Sequence, residues 1–148
     1  MTFAEAQPGA DGAAAVDVAR QLYDAFGRGD IPAVLALFAP EIEWREAEGN
    51  PYQPDGAPWV GPEAINDALF TRLPREWESF SVTPHVIRAM EGGAVVEGRY
   101  TAVNTATGRS LDVQICHVLR VHQGRLTHFQ QYIDTASLQW AMGVSRPQ

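Results

Sequence analysis

The sequence predicts an α+β fold, a strongly curved mixed or antiparallel sheet wrapped around three helices of the N-terminal half, with an internal pocket between the two. Three observations carry this expectation. Val16, Ala19, Tyr23 and Phe26 recur at intervals of three and four, the spacing of an amphipathic helix. From Glu41 the period changes to two, so Ile42, Trp44 and Glu46 share one face while Glu43 and Arg45 share the other. Strand-length segments at about 79–90, 94–104, 109–121 and 125–133 then follow one another, separated by the turn sequences EGG, TATG and HQG. Helices first and strands afterwards point to an α+β arrangement.

Residues 1–12 are small and polar and read as a flexible arm, residues 13–143 as one domain, and 144–148 as a tail. The first helix stops at GRGD (27–30), where Asp30 can cap a second helix that tolerates Pro32 in its first turn. AVLALFA continues that helix up to Pro40. A Pro- and Gly-rich loop at 48–62 is long for a connection in so small a domain, as ligand-contacting loops often are. PEAINDALFTRL gives a third helix, with Ile65, Ala68, Leu69 and Leu73 on one side. TASLQWAMG gives a short closing one.

Composition narrows the chemistry. A formal net charge of −7 opposes binding to nucleic acid or to an anionic membrane surface. All 11 basic residues are arginine, which removes Schiff-base and phosphate-loop lysine chemistry. Cys116 is the single cysteine, so neither an internal disulfide nor a multi-cysteine zinc site is available. His85, His122 and His128 form no metal-binding spacing, and no nucleotide-binding or nucleophile-elbow motif occurs. The expectation is a cytoplasmic protein with no metal and no cofactor. The N-terminal stretch lacks the charge and apolar run of a signal peptide.

Three residues could carry chemistry. Glu46 shares a face with Ile42 and Trp44, where desolvation would raise its pKa toward that of a useful proton acceptor; the alternative is a solvated carboxylate at the strand end. His117 interrupts the apolar face formed by Val113, Ile115, Leu119 and Val121, as either a core histidine or a pocket group. Asp134 ends the last strand, where it is equally a helix cap or a working carboxylate. Its parity matches Gln130 and Tyr132, whereas Phe129 and Ile133 face the other way. Trp59, Tyr52 and Trp77 flank the long loop and third helix and could cover a flat apolar ligand.

The phrases YDAFGRGDIPAVLALFAPEIEW, WVGPEAI and GRLTHFQQYIDT, in that order and spacing, resemble the ketosteroid isomerase-like and SnoaL-like polyketide cyclase families from about residue 16 to 140. The resemblance implies the cone-shaped barrel of nuclear transport factor two, a fold that also serves dehydratases, epoxide hydrolases and a non-enzyme. It implies Glu46 at the position of the isomerase base and His117 at the position of a protonated aspartic acid that donates to the substrate oxygen, the handling of charge known from steroid isomerases. It also implies a working aspartate near Asp134 and a homodimer through the sheet. Trp44, Trp59, Tyr100, Phe129, Ile115 and Leu119 are the residues expected to line the substrate pocket. The isomerase tyrosine of the first helix falls on Leu22, and Tyr23 lies about 100° around the helix from it, which argues against a simple substitution. The resulting expectation is general acid–base chemistry on a small or polycyclic apolar carbonyl compound: enolisation, isomerisation or cyclisation. A non-catalytic binding protein of the same fold and an epoxide hydrolase-like hydrolase are the alternatives.

Overall fold

The computed structural model describes residues 10–144. Helix α1 (Ala10–Gly27) begins inside the expected arm, and the remainder of that arm and residues 145–148 lie outside the described residues. The short α2 (Ile31–Ala36) is capped as its sequence suggests, with the Asp30 carboxylate accepting from the Ala33 N–H at 3.1 Å. It ends earlier than the apolar run implied. Phe38 already belongs to β1 (Phe38–Arg45), because the backbone there pairs with the last strand of the sheet: the Leu126 N–H donates to the Leu37 carbonyl at 2.8 Å. Sheet pairing overrides the helical pattern of AVLALFA.

The long loop contains a short strand, β2 (Trp59–Val60), that alternation does not reveal; it pairs antiparallel with β1. The third helix is not one continuous element. It consists of α3 (Pro62–Ile65), a π-helical turn (Asn66–Phe70) and α4 (Leu73–Glu76). In the π turn the Thr71 N–H bonds to the Asn66 carbonyl five residues back. The extra residue lets the consecutive Leu69 and Phe70 both bury their side chains on the inner side.

Four long strands follow: β3 (Trp77–Met90), β4 (Gly93–Asn104), β5 (Ser110–His122) and β6 (Arg125–Ile133). The sheet has the order β2-β1-β6-β5-β4-β3. All neighbours are antiparallel except β1 and β6, which run parallel. It is therefore mixed and open rather than a closed barrel. Bulges in β3 at Glu78/Ser81 and Pro84/Val86 bend it. Opposite the second bulge, the β3 backbone crowds Gly98 so closely that a Cβ there would lie 2.3 Å from the Thr83 carbonyl oxygen; only glycine fits. The inner residues of the sheet form one core with α1 and the α3–α4 segment. Helix α5 (Thr135–Met142) closes the chain and ends on Gly143 in the left-handed conformation. Among the described residues, no helix is long and apolar enough to cross a membrane.

Candidate active site

Period-two alternation puts Trp44 and Glu46 on the inner side of β1 and just past its end. The parallel register then sets Trp44 against Phe129, and the two rings stack with centroids 3.6 Å apart. On β5, alternation puts His117 inward, between Ile115 and Leu119, while the half-buried Cys116 has the opposite parity. These side chains meet in a cavity of about 660 Å³, counting its mouth, between the sheet and the helical layer. Its walls are mostly aromatic: Phe26, Trp44, Phe70, Trp77, Phe80 and Phe129. Glu46 and His117 both line it, as do Tyr23, Asn50, Tyr52, Tyr100 and Gln131. No arginine does, among the described residues. Among the described residues the cavity thus holds a single acid and no permanent positive charge, which disfavours anionic ligands.

Glu46 is 6 % exposed, and its Oε2 has no hydrogen-bond partner among the described residues. Burial pushes its carboxyl up to about 8. The neighbouring Trp44 indole N–H opposes that rise, yet it forms no hydrogen bond of acceptable geometry, so desolvation dominates. The Glu46 backbone is anchored instead: its N–H donates to Gln53 Oε1 at 2.9 Å, and Gln53 Nε2 returns to the Trp44 carbonyl at 3.1 Å. The long loop therefore positions the acid, although its side chain is left unpaired.

His117 is 2 % exposed, and burial lowers its pKa to about 3. The imidazole is neutral at any ordinary pH. Tyr23 Oη lies 2.7 Å from its Nδ1 and Tyr100 Oη 2.5 Å from its Nε2. Both ring nitrogens are engaged, so direct donation from His117 to a ligand oxygen is not available in this arrangement. Any donation passes to the tyrosines. Burial raises the pKa of both tyrosines, so they too are neutral. Gln131 Nε2 donates to Tyr100 Oη at 3.2 Å, while its Oε1 accepts from Asn50 Nδ2 at 2.9 Å and from the Ala47 N–H at 3.3 Å. The backbone donor at Ala47 fixes which way that amide points.

Three other expectations require correction. Tyr23 does reach the site: Leu22 and Tyr23 both line the cavity, because both are buried on the inner face of α1, a stripe wide enough to take in two residues about 100° apart. Asp134 is exposed and caps α5, accepting from the Ser137 N–H at 3.0 Å and from Ser137 Oγ at 2.6 Å. Those bonds hold its carboxyl below its usual range; it does not line the cavity. Asp134→Ala should cost about 1 kcal/mol of stability, as lost N-caps do, read from the urea midpoint, with turnover unchanged. Trp59, Ile115 and Leu119 are not on the wall either. Trp59 sits opposite Trp44 in the β1–β2 pair, and Ile115 and Leu119 are packed in the core. Trp44, Tyr100 and Phe129 do line the cavity. Sequence reasoning missed Gln131, although its parity with Phe129 on β6 signals a polar group on the inner face. Asn50 lay in the suspected loop without any pattern to single it out.

The same architecture recurs in known proteins. The sequence model of a family described as SnoaL-like domain matches residues 19–129. An NTF2-like protein from Burkholderia thailandensis is 30% identical, with a TM-score of 0.80 over 86% of this chain and 95% of that one. TerC, co-crystallized with polyporic acid, is 18% identical, with a TM-score of 0.77 over 88% of this chain and 98% of that one. A protein of ketosteroid isomerase-like fold from Catenulispora acidiphila, in complex with trimethylamine, is 18% identical, with a TM-score of 0.70 over 88% of this chain and 95% of that one. No curated protein matches.

Proposed function

The chain belongs to the SnoaL-like domain family, and from that premise we propose that it is an acid–base enzyme acting on a neutral, flat, apolar carbonyl compound through its own side chains. The observation that carries this reading is the unpartnered Glu46 carboxyl, buried in an aromatic cavity that also holds a neutral Tyr–His–Tyr set. In its ionised form, Glu46 removes a proton from the carbon next to the carbonyl. The electron pair moves onto the carbonyl oxygen, which a tyrosine hydroxyl stabilises by hydrogen bonding. Glu46, now carrying the proton, gives a hydrogen back to the same carbon, which is exchange once the carboxyl has traded its proton with solvent, or to another carbon, which is isomerisation. Where a second carbonyl is in reach, the enolate carbon instead attacks that carbonyl's carbon; the new C–C bond closes the ring, the C=O π pair moves to its oxygen, and Glu46 protonates that alkoxide. The aromatic walls exclude water and hold a planar substrate.

A second reading has its own support. An acid in an aromatic box with no cation also suits an ammonium ligand, and a structural neighbour holds trimethylamine. That reading makes the protein a binding module without turnover.

Deuterium uptake from solvent at the α-carbons of a panel of cyclic and aromatic-fused ketones separates the two. Catalysed exchange is expected. Ketones that quench Trp44 fluorescence but exchange no faster than in buffer would overturn the catalytic reading, and saturable quenching by trimethylammonium would favour the binding one.

A further inference from the structure

The two tyrosines beside His117 cannot both donate to a ligand. Tyr23, His117 and Tyr100 share three exchangeable protons, two on hydroxyls and one on the neutral imidazole. Each of the two internal hydrogen bonds uses one. A single hydroxyl proton is left over, and the position of the ring proton decides which tyrosine keeps it. With the proton on Nδ1, the ring donates to Tyr23, Tyr100 donates to Nε2, and Tyr23 has the spare hydroxyl proton. With the proton on Nε2, the ring donates to Tyr100, Tyr23 donates to Nδ1, and the spare proton is on Tyr100.

The surroundings of the two hydroxyls are unlike. Tyr23 rises from α1 between Leu22 and Phe26, both on the cavity wall. Tyr100 stands at the polar end, where Gln131 Nε2 already donates to its oxygen. The same Gln131 accepts from the N–H of Ala47, the residue after Glu46, which places Tyr100 on the acid's side of the cavity. With the ring proton on Nε2, the Tyr100 oxygen would accept two hydrogen bonds. Accepted bonds stabilise a phenolate and make its O–H the stronger donor toward a developing negative charge.

We infer that Tyr100 is the donor to the oxygen of a bound carbonyl compound, that His117 enforces this by carrying its ring proton on Nε2, and that Tyr23 is a positioning residue that holds this tautomer by donating to Nδ1. The inference rests on the proposed carbonyl chemistry for its substrate, but its proton arrangement can be tested without turnover. It requires a donor and an acid on the same side of the ligand, as the α-hydrogen and the oxygen of a ketone demand.

The test is the ¹⁵N spectrum of the His117 ring in the intact protein, paired with kinetics of two variants. A protonated, pyrrole-type Nε2 and a bare, pyridine-type Nδ1 are expected in wild type. The reverse assignment would overturn the inference whether or not any ketone reacts. In Tyr23→Phe, the two nitrogen signals should move toward each other as the tautomers mix, a change that a merely structural role would not produce; signals unchanged from wild type would count against it. On a ketone that exchanges, Tyr100→Phe should lower kcat by about 10²–10³, as loss of an oxyanion donor does, with Tyr23→Phe the milder of the two. The opposite ranking would assign the donor to Tyr23. Failure of every ketone would sink the proposed reaction alone, since the spectrum still decides where the proton lies.

Discussion

Glu46→Gln should reduce α-proton exchange by about 10²–10⁴, the usual contribution of a positioned base, while leaving KM close to that of wild type. The amide has the shape and neutrality of the protonated acid and so preserves binding, but it cannot accept the proton. The wild-type pH profile identifies the same residue independently. With the Glu46 pKa at about 8, about one molecule in ten is ionised at pH 7. The exchange rate should therefore climb about tenfold per unit between pH 6 and 7, bend near pH 8, and level off above it. His117, with its pKa at about 3, adds no second limb in this range. A rate that falls as pH rises through 8 would mean that the protonated acid is the working form, as in dehydration, and would overturn the assignment of Glu46 as base. Full activity in Glu46→Gln would remove the residue from the chemistry altogether.

The alternation that places Glu46 and His117 inward is a backbone property, so the amino-acid sequence alone makes both legible. Once β1 and β5 form, parity forces each side chain to the core side whatever its polarity. The four C-terminal strands are legible for the same reason, with boundaries marked by Gly-containing turns. Treating side chains as points on a cylinder is what fails. A step of about 100° does not take a residue out of a site when the buried stripe of the helix is itself about that wide, and Tyr23, buried beside Leu22, reaches His117. The partners of His117 are hidden for a different reason. In the β4–β5 register, His117 lies opposite Val96 and Tyr100 opposite Val113, so their contact is diagonal and invisible until strand pairing is known. Asp134 carries two readings because a cap and a working carboxylate use the same residue; only its exposure and its bonds to Ser137 separate them. The early end of α2 and the π turn at 66–70 both arise from tertiary demands, strand pairing in one and two adjacent inward side chains in the other. Local periodicity does not encode these.

Stability should be greatest on a plateau between about pH 4.5 and 6.5 and decline on both sides, because the two buried groups at the site shift in opposite directions. Glu46 has its folded pKa raised from 4.5 to about 8. The folded state keeps a proton that the unfolded chain releases, so this contribution is complete below pH 4.5 and is lost as pH rises to about 8. His117 has its folded pKa lowered from 6.5 to about 3. There the unfolded chain gains a proton that the folded state refuses, so this contribution is complete above pH 6.5 and is lost as pH falls toward 3. Each slope is about 1.4 kcal/mol per pH unit. Between pH 4.5 and 6.5 they cancel; from 6.5 to 8 the Glu46 slope acts alone and should remove about 2 kcal/mol. Urea midpoints measured from pH 4 to 8 give the profile directly. Glu46→Gln provides the decisive comparison, since it deletes one slope and leaves the other. Its stability should rise with pH from 4.5 to 6.5, where wild type is flat, and then hold level to pH 8, where wild type weakens. If instead wild type and variant lose stability in parallel above pH 6.5, some group other than Glu46 drives that loss. The acid would then be less strongly desolvated than its unpaired burial implies, and too weak a base for the role assigned to it.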